Sequence, residues 1–193
     1  MYGYVKVGSA VPKLRVADCV YNKEEILKLV EAAAAKQVRV LSFPELSVTG
    51  YTCADLFFQT PLLHAAEQAI QEIAEATEAL NIFLLIGAPI AVDNQMFNCA
   101  VALYKGKLLG IVPKTHIPNY SEFYEERWFA SADDLLTEEI TYAGQNVPIG
   151  ADLIFAAADF PALKIGRPLG THSPQFLSEP VRRNAAAESF RKQ

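Results

Sequence analysis

The chain has 193 residues, of which 51% are hydrophobic and 20% charged, with a net charge of −5. This is enough apolar chain to bury one domain and too much for a disordered one. Residues 1–166 hold 12 Lys and Arg against 20 Asp and Glu, while 167–193 hold 5 against 2, and an acidic body without a basic stripe argues against nucleic-acid binding. Three cysteines, Cys19, Cys53 and Cys99, are odd in number and lack zinc-ligand spacing, so they read as reduced thiols of a cytoplasmic protein. The longest apolar run, 82–92, is too short to span a bilayer. Residues 2–11 alternate like a strand and lack the features of a secretory signal, so the expectation is a soluble, cytosolic chain with no membrane contact.

In chain order, Tyr4, Val5, Val7 and Ala10 predict a first strand. From Asn22, a good N-cap, the spacing of Ile26, Leu27, Leu29, Val30 and Ala33 predicts a helix. The β-branched run 38–43 reads as a buried strand whose C-terminal end delivers Glu45. Strand, helix, strand at this length is a βαβ unit, and in open α/β sheets chemistry gathers beyond the carboxyl ends of the strands.

A covering helix is predicted from after Pro61 to about Leu80, with Leu62, Ala66, Ala69, Ile70 and Ile73 inward and Glu67, Glu72, Glu75 and Glu78 in water. Residues 82–86 read as a third strand ended by Gly87 and Pro89. Turns at Asp93-Asn94 and at Lys105-Gly106, flanked by alternating 97–104 and 107–112, predict a β-meander that exits at Lys114. Segment 117–129 is rich in aromatics and Glu and reads as a loop that shapes a pocket. Two short strands, 147–155 and 160–165, complete one domain, 1–166. The Pro-rich, basic 167–193 reads as a disordered tail.

Glu45 stands in SFPELSVTGYTCADL, a carboxylate in apolar surroundings, where desolvation calls for a cationic partner or a proton-handling task. Lys114 ends a second apolar run, again beside a proline. A carboxylate and a lysine, joined by a thiol, would make a nucleophilic amidase site, with the Glu as base and the Lys stabilising the oxyanion. On spacing alone, a half-buried ion pair or two unrelated surface groups fit equally well.

FPELSVTGYTCADLF, FNCAVALYKGKLLGIVPKTHIPNYSEFYEERWF, VPIGADLIF and the opening VGSAVPKLRVADCVYN resemble motifs of the nitrilase superfamily. Within it they resemble the N-terminal glutaminase domain of bacterial glutamine-dependent NAD+ synthetases, over about 1–166. The resemblance implies an α/β fold, a nitrilase-like four-layer α-β-β-α sandwich incomplete at its C-terminus. It also implies hydrolysis of glutamine's amide by a Glu, Lys, Cys triad, with ammonia passed to an ATP-using domain that amidates deamido-NAD+. Glu45 matches the general base and Lys114 the oxyanion-stabilising lysine. Tyr120 falls where the family holds glutamine, with Tyr51 and Phe123 as further pocket residues. Of Glu122, Glu125 and Glu126, read otherwise as a solvated face, Glu126 is assigned to orient Lys114 or the substrate amide.

Two departures follow. Where the family continues from the PALKIG strand into the turn bearing its nucleophilic cysteine, this chain reads Arg167, Pro168, Leu169, Gly170. A frameshift or truncation would produce that change. No Gly-rich phosphate loop is present, so the chain is expected to hold no cofactor, ATP and Mg belonging to the missing synthetase domain. Cys53 is the nearest thiol to Glu45 in sequence but matches a non-nucleophilic cysteine of the family. Cys99 reads as core, Cys19 as lacking a base, and His64, His116 and His172 as non-ligands, with no metal site. The chain is thus expected to be inactive or impaired alone. Expected partners are glutamine and either copies of itself or NAD+ synthetase subunits. A noncatalytic assembly partner, or an amidase of another nitrilase branch with a thiol not yet placed, are the alternatives.

Overall fold

Apolar side chains on both sides of the central strands dictate a sheet covered on both faces. The computed structural model describes residues 4–158 and 160–166. The predicted tail, 167–193 with His172, lies outside the described residues.

The elements are β1 (Val7–Ser9), α1 (Cys19–Ala35), β2 (Val40–Ser42), α2 (Thr60–Ala76), β3 (Phe83–Val92), β4 (Gln95–Tyr104), β5 (Lys107–Pro113), β6 (Glu139–Tyr142), β7 (Gln145–Pro148), β8 (Ile154–Ala156) and β9 (Lys164–Gly166). A five-stranded sheet has the order β1-β2-β3-β4-β5. Its first three strands are parallel and the last two antiparallel, which is the predicted βαβ unit followed by the predicted meander. β6–β7 and β8–β9 form two separate hairpins.

Strand alternation sorts the core into two halves. Leu84, Ile86, Ala88 and Ile90 of β3 with Phe97, Cys99 and Val101 of β4 pack against Ile26 and Val30 of α1 and Ile70 and Ile73 of α2. Phe83, Ala102, Tyr104, Leu109 and Val112 face the other way, against Leu153, Phe155 and Leu163 around the β8–β9 hairpin. Among the described residues the layers run helices, five-stranded sheet, second-sheet hairpin, three of the four expected. Among the described residues no helix is long and apolar enough to cross a membrane.

Local chemistry explains where the elements differ from expectation. Asp18, not Asn22, caps α1, its carboxylate accepting from the Tyr21 amide at 3.0 Å. Asn22 lies one turn inside, fully buried, and donates to the carbonyls of Arg15 at 2.8 Å and Val48 at 2.9 Å. α2 stops at Ala76 because the Thr77 hydroxyl turns back onto the Ile73 carbonyl at 2.8 Å. β3 continues through Gly87 and Pro89 because β2 pairs only with Phe83, Leu84 and Leu85. Beyond Leu85 that edge belongs to no strand ladder, and a proline is tolerated there. The run 147–155 is split: β7 ends at Pro148 and pairs with β6, a strand the sequence reading missed.

The meander turns at Asp93-Asn94 and Lys105-Gly106 have positive φ at both central residues, the geometry that matches strand twist in two-residue hairpins. Between β4 and β5 the register shifts by one: Leu103 faces Leu108, whereas Ala102 faces Gly110. Leu109 is the extra residue of a β-bulge, and Leu109 and Gly110 both turn toward the β8–β9 side, where a Cβ on Gly110 would lie 2.9 Å from Leu153 and Phe155.

Candidate active site

Glu45 follows β2 by three residues, and the backbone carrying it lies directly on β3. The Phe43 amide donates to Leu85 O at 2.9 Å and the Val48 amide to Gly87 O at 3.1 Å. Such contact requires a glycine beneath. A Cβ at Gly87 would sit 2.4 Å from Leu46 N and from Pro44 O, a distance no packing adjustment accommodates. The buried Asn22 amide anchors the far end of the same segment through Val48 O.

Lys114 leaves β5 just after Pro113. Its amide donates to Asn98 O at 2.8 Å, which sets the two residues side by side on the face away from the helices. There the Lys114 ammonium donates to Glu45 Oε2 at 2.8 Å and to Glu125 Oε2 at 3.0 Å. Asn98 Nδ2 donates to the same Glu45 oxygen at 2.9 Å. Lys114 and Glu125 are 5% and 3% exposed and Asn98 is fully buried, while the Glu45 side chain keeps 33% of its surface open. Buried charges of this kind persist only when paired and hydrogen-bonded. A lysine between two carboxylates meets that condition and leaves Glu45 as the member that solvent or a ligand can reach.

Glu125 is held in turn. Tyr51 OH donates to Glu125 Oε1 at 2.5 Å, and burial, then that hydrogen bond to a carboxylate, push the phenol well above its ordinary range, so it stays a donor. The Glu125 amide donates to Pro118 O at 3.1 Å, and a short 3-10 turn, Glu125–Arg127, fixes the loop. Arg127 makes two 2.8 Å bonds to the Asp55 carboxylate and Trp128 Nε1 a third at 3.0 Å, joining this loop to the turn Ala54–Phe58. Phe57 beneath packs edge-on against Trp128 and Phe129.

Of the residues singled out in sequence, Glu45, Lys114 and Tyr51 converge on one network. Glu126 does not. It is exposed and accepts from Asn119 Nδ2 at 2.7 Å; Glu125 occupies the position against Lys114 that sequence reading gave to Glu126. The 3-10 turn explains the exchange, since it points adjacent glutamates in different directions. Tyr120 is 66% exposed and packs its ring on Phe123 at 5.8 Å, at the rim and not in the network. Glu126 and Phe129, with Thr115, Ile117 and Ser131, line an open depression beside the loop, and Tyr51, Tyr120 and Phe123 are not among its lining.

The thiols lie elsewhere. Cys53 Sγ donates to Thr49 O at 3.1 Å and sits with Cys19 and Cys99 in the helix-side core. Burial raises all three thiol pKa values, that of Cys19 to about 11. Among the described residues no thiol is bonded to Glu45 or Lys114, and no group of three or more His, Cys, Asp or Glu is placed to hold a metal ion. His64 and His116 are exposed. Asn98 escaped the sequence reading, and Glu125 was named in the cluster with Glu122 and Glu126 but passed over for Glu126. An asparagine in the otherwise apolar run FNCAVALY was a usable signal; nothing in the spacing of EFYEE singled out Glu125 from its neighbours.

An α/β layer with helices on one face, and a lysine clamped between glutamates on the other at the ends of two strands, defines a nitrilase-type sandwich protein. The sequence matches the carbon-nitrogen hydrolase family over residues 6–167, and the chain belongs to that family. A glutamine-dependent NAD(+) synthetase of Mycobacterium leprae is 36% identical over 157 residues, 81% of this chain and 23% of that protein. The crystal structure of a glutamine-dependent NAD(+) synthetase from Cytophaga hutchinsonii superposes with a TM-score of 0.72 at 27% identity, covering 80% of this chain and 28% of that one. An amidase from Nesterenkonia sp. shares the fold, with a TM-score of 0.57 at 18% identity over 76% of this chain and 55% of its own. The chain spans less than a third of the length of the NAD(+) synthetases it matches.

Proposed function

We propose that this chain carries the carboxylate and lysine of a cytoplasmic glutamine amidohydrolase site, one that supplies ammonia for the ATP-dependent amidation of deamido-NAD+ in a complete protein. The observation that carries the reading is the Lys114 ammonium 2.8 Å from Glu45 and 3.0 Å from Glu125 in a carbon-nitrogen hydrolase fold. In it, Glu45 takes the proton of a thiol nucleophile and returns it to the departing ammonia. Lys114 has three N–H donors; two are directed at the glutamates, and the third stabilises the oxyanion formed as the thiolate adds to the amide carbon. Tyr120, with Tyr51 and Phe123, holds glutamine. ATP and Mg belong to a separate synthetase domain, because this sequence carries no Gly-rich phosphate loop.

Because Cys19, Cys53 and Cys99 all sit in the helix-side core, the reading makes the chain inactive or badly impaired by itself. Ammonia release from glutamine by the purified 193-residue chain, with Glu45→Ala and Lys114→Ala controls, tests it: turnover no higher than the controls is expected. Turnover abolished by both substitutions would show that a thiol reaches the pair, with Cys53 the first to mutate.

A second reading is a noncatalytic partner that assembles with its own copies or with NAD+ synthetase subunits. Leu56, Phe58 and Tyr124, each 46–56% exposed beside the site, favour it. Light scattering reads it directly: a stable oligomer without ammonia release supports assembly, and a monomer at high concentration removes the self-association form.

A further inference from the structure

We infer that Asn98 is a positioning residue for Glu45, holding one carboxylate oxygen so that the other is the oxygen left to take and return a proton. The inference rests on the amidohydrolase reading for its chemical meaning, but its geometry stands apart from that reading.

Three observations carry it. First, Asn98 is fully buried in a strand whose other residues from Phe97 to Tyr104 are apolar, and it lies on the face of β4 opposite Cys99. A buried amide costs free energy that an apolar side chain would not, so its presence there needs another explanation. Second, Nδ2 donates at 2.9 Å to Glu45 Oε2, the same oxygen that accepts from Lys114 at 2.8 Å. Both donors converge on one oxygen, and Oε1 has no partner among the described residues. A carboxylate that must exchange a proton with two successive partners needs one oxygen fixed and one unengaged. Third, Asn98 Oδ1 is buried and accepts nothing among the described residues. Leaving an acceptor unpaired disfavours folding, and turning the amide over would aim that oxygen at the glutamate instead. The side chain is therefore oriented by Glu45 and not by its own need for hydrogen bonds, the opposite of the fully satisfied Asn22, whose amide is bonded to two backbone carbonyls and whose Oδ1 accepts from the Arg15 amide at 2.7 Å.

A purely structural Asn98 and a positioning Asn98 predict opposite results. Asn98→Leu keeps the size of the side chain, removes the orphaned acceptor and removes the donor to Glu45. Asn98→Asp keeps size and polarity but replaces the donor with an acceptor. In the full chain labelled with carbon-13 glutamate, the Glu45 carboxylate resonance, assigned by its loss in Glu45→Gln, reports the hydrogen bonds that oxygen receives. Both variants are expected to move that resonance by more than its linewidth, and Asn98→Leu to melt at or above the wild-type temperature. A Glu45 resonance unmoved in both variants would overturn the inference. So would an Asn98→Leu chain that melts well below wild type, since that result marks the amide as a folding element. Neither readout depends on ammonia release, so failure of the amidohydrolase reading would be seen separately.

Discussion

The two faces of one sheet have been given different work. On the helix side β4 contributes Phe97, Cys99, Val101 and Leu103 to a continuous apolar core. On the other side the same strand offers Asn98 to Glu45, and β5 offers Lys114 to two glutamates. The helix side is closed and uncharged, where stability comes from burial and packing. The site side concentrates an ammonium and two carboxylates, whose desolvation is offset only by mutual pairing. Residues one apart in sequence therefore answer to different physics, and substitutions should separate them.

The largest effects are expected in the two centres. Phe97→Ala, on the helix side, should destabilise by about 3–5 kcal/mol through the cavity it leaves, measured by urea denaturation. Lys114→Met should lose a comparable amount, about 3–5 kcal/mol, by a different route, because Glu125 is left buried beside a second carboxylate. Adding Glu125→Gln should restore much of the Lys114→Met loss and nothing of the Phe97→Ala loss. Equal rescue of both would break the distinction between the faces.

Next comes Gly87→Ala, expected to destabilise by about 3 kcal/mol, since the clash is with backbone that cannot step aside. Any structure of that variant should show Glu45 displaced from Lys114. A smaller, kinetic readout sharpens the closed side: Cys19 and Cys99 should resist alkylation at pH 8 in the folded chain and react at once in denaturant, as burial and raised thiol pKa values both require.

The smallest effect belongs to Asp55, at the exposed rim. The Arg127 hydrogen bonds, then that of Trp128, hold its carboxyl well below the usual range. A depressed folded-state pKa adds stability above the unfolded value, which is lost as pH falls. The melting-temperature difference between wild type and Asp55→Asn should thus be slight at neutral pH, screened by water, and should close as pH drops below about 4.

Much of this arrangement was legible because the signals were local. Two-residue turns with Asp93-Asn94 and Lys105-Gly106 announce the meander, and Ile70 and Ile73 announce the buried face of α2. Glu45 and Lys114 were found because a charged residue beside a proline at the end of an apolar run is rare. What stayed hidden depended on partners distant in sequence. Gly87 and Pro89 look like strand-breakers until β2 is seen to end at Ser42 and leave that edge of β3 to the irregular segment that carries Glu45. Glu125 cannot be told from Glu126 without the turn that aims one at Lys114 and the other at Asn119. The aspartate that caps α1 and the asparagine inside it are equally good caps by type, and only the carbonyls of Arg15 and Val48 decide between them.

The bulge at Leu109 acts as a phase setter. Counting back from the Lys105-Gly106 turn without it, Asn98 would stand opposite Pro113, and Lys114 would fall one step out of phase and project toward the helices. Leaving that one residue out of the ladder restores the phase, so that Lys114 and Asn98 emerge on the same side. A ladder that paired Leu109 with Ala102 would leave every residue of the site in the sequence and turn Lys114 away from Glu45.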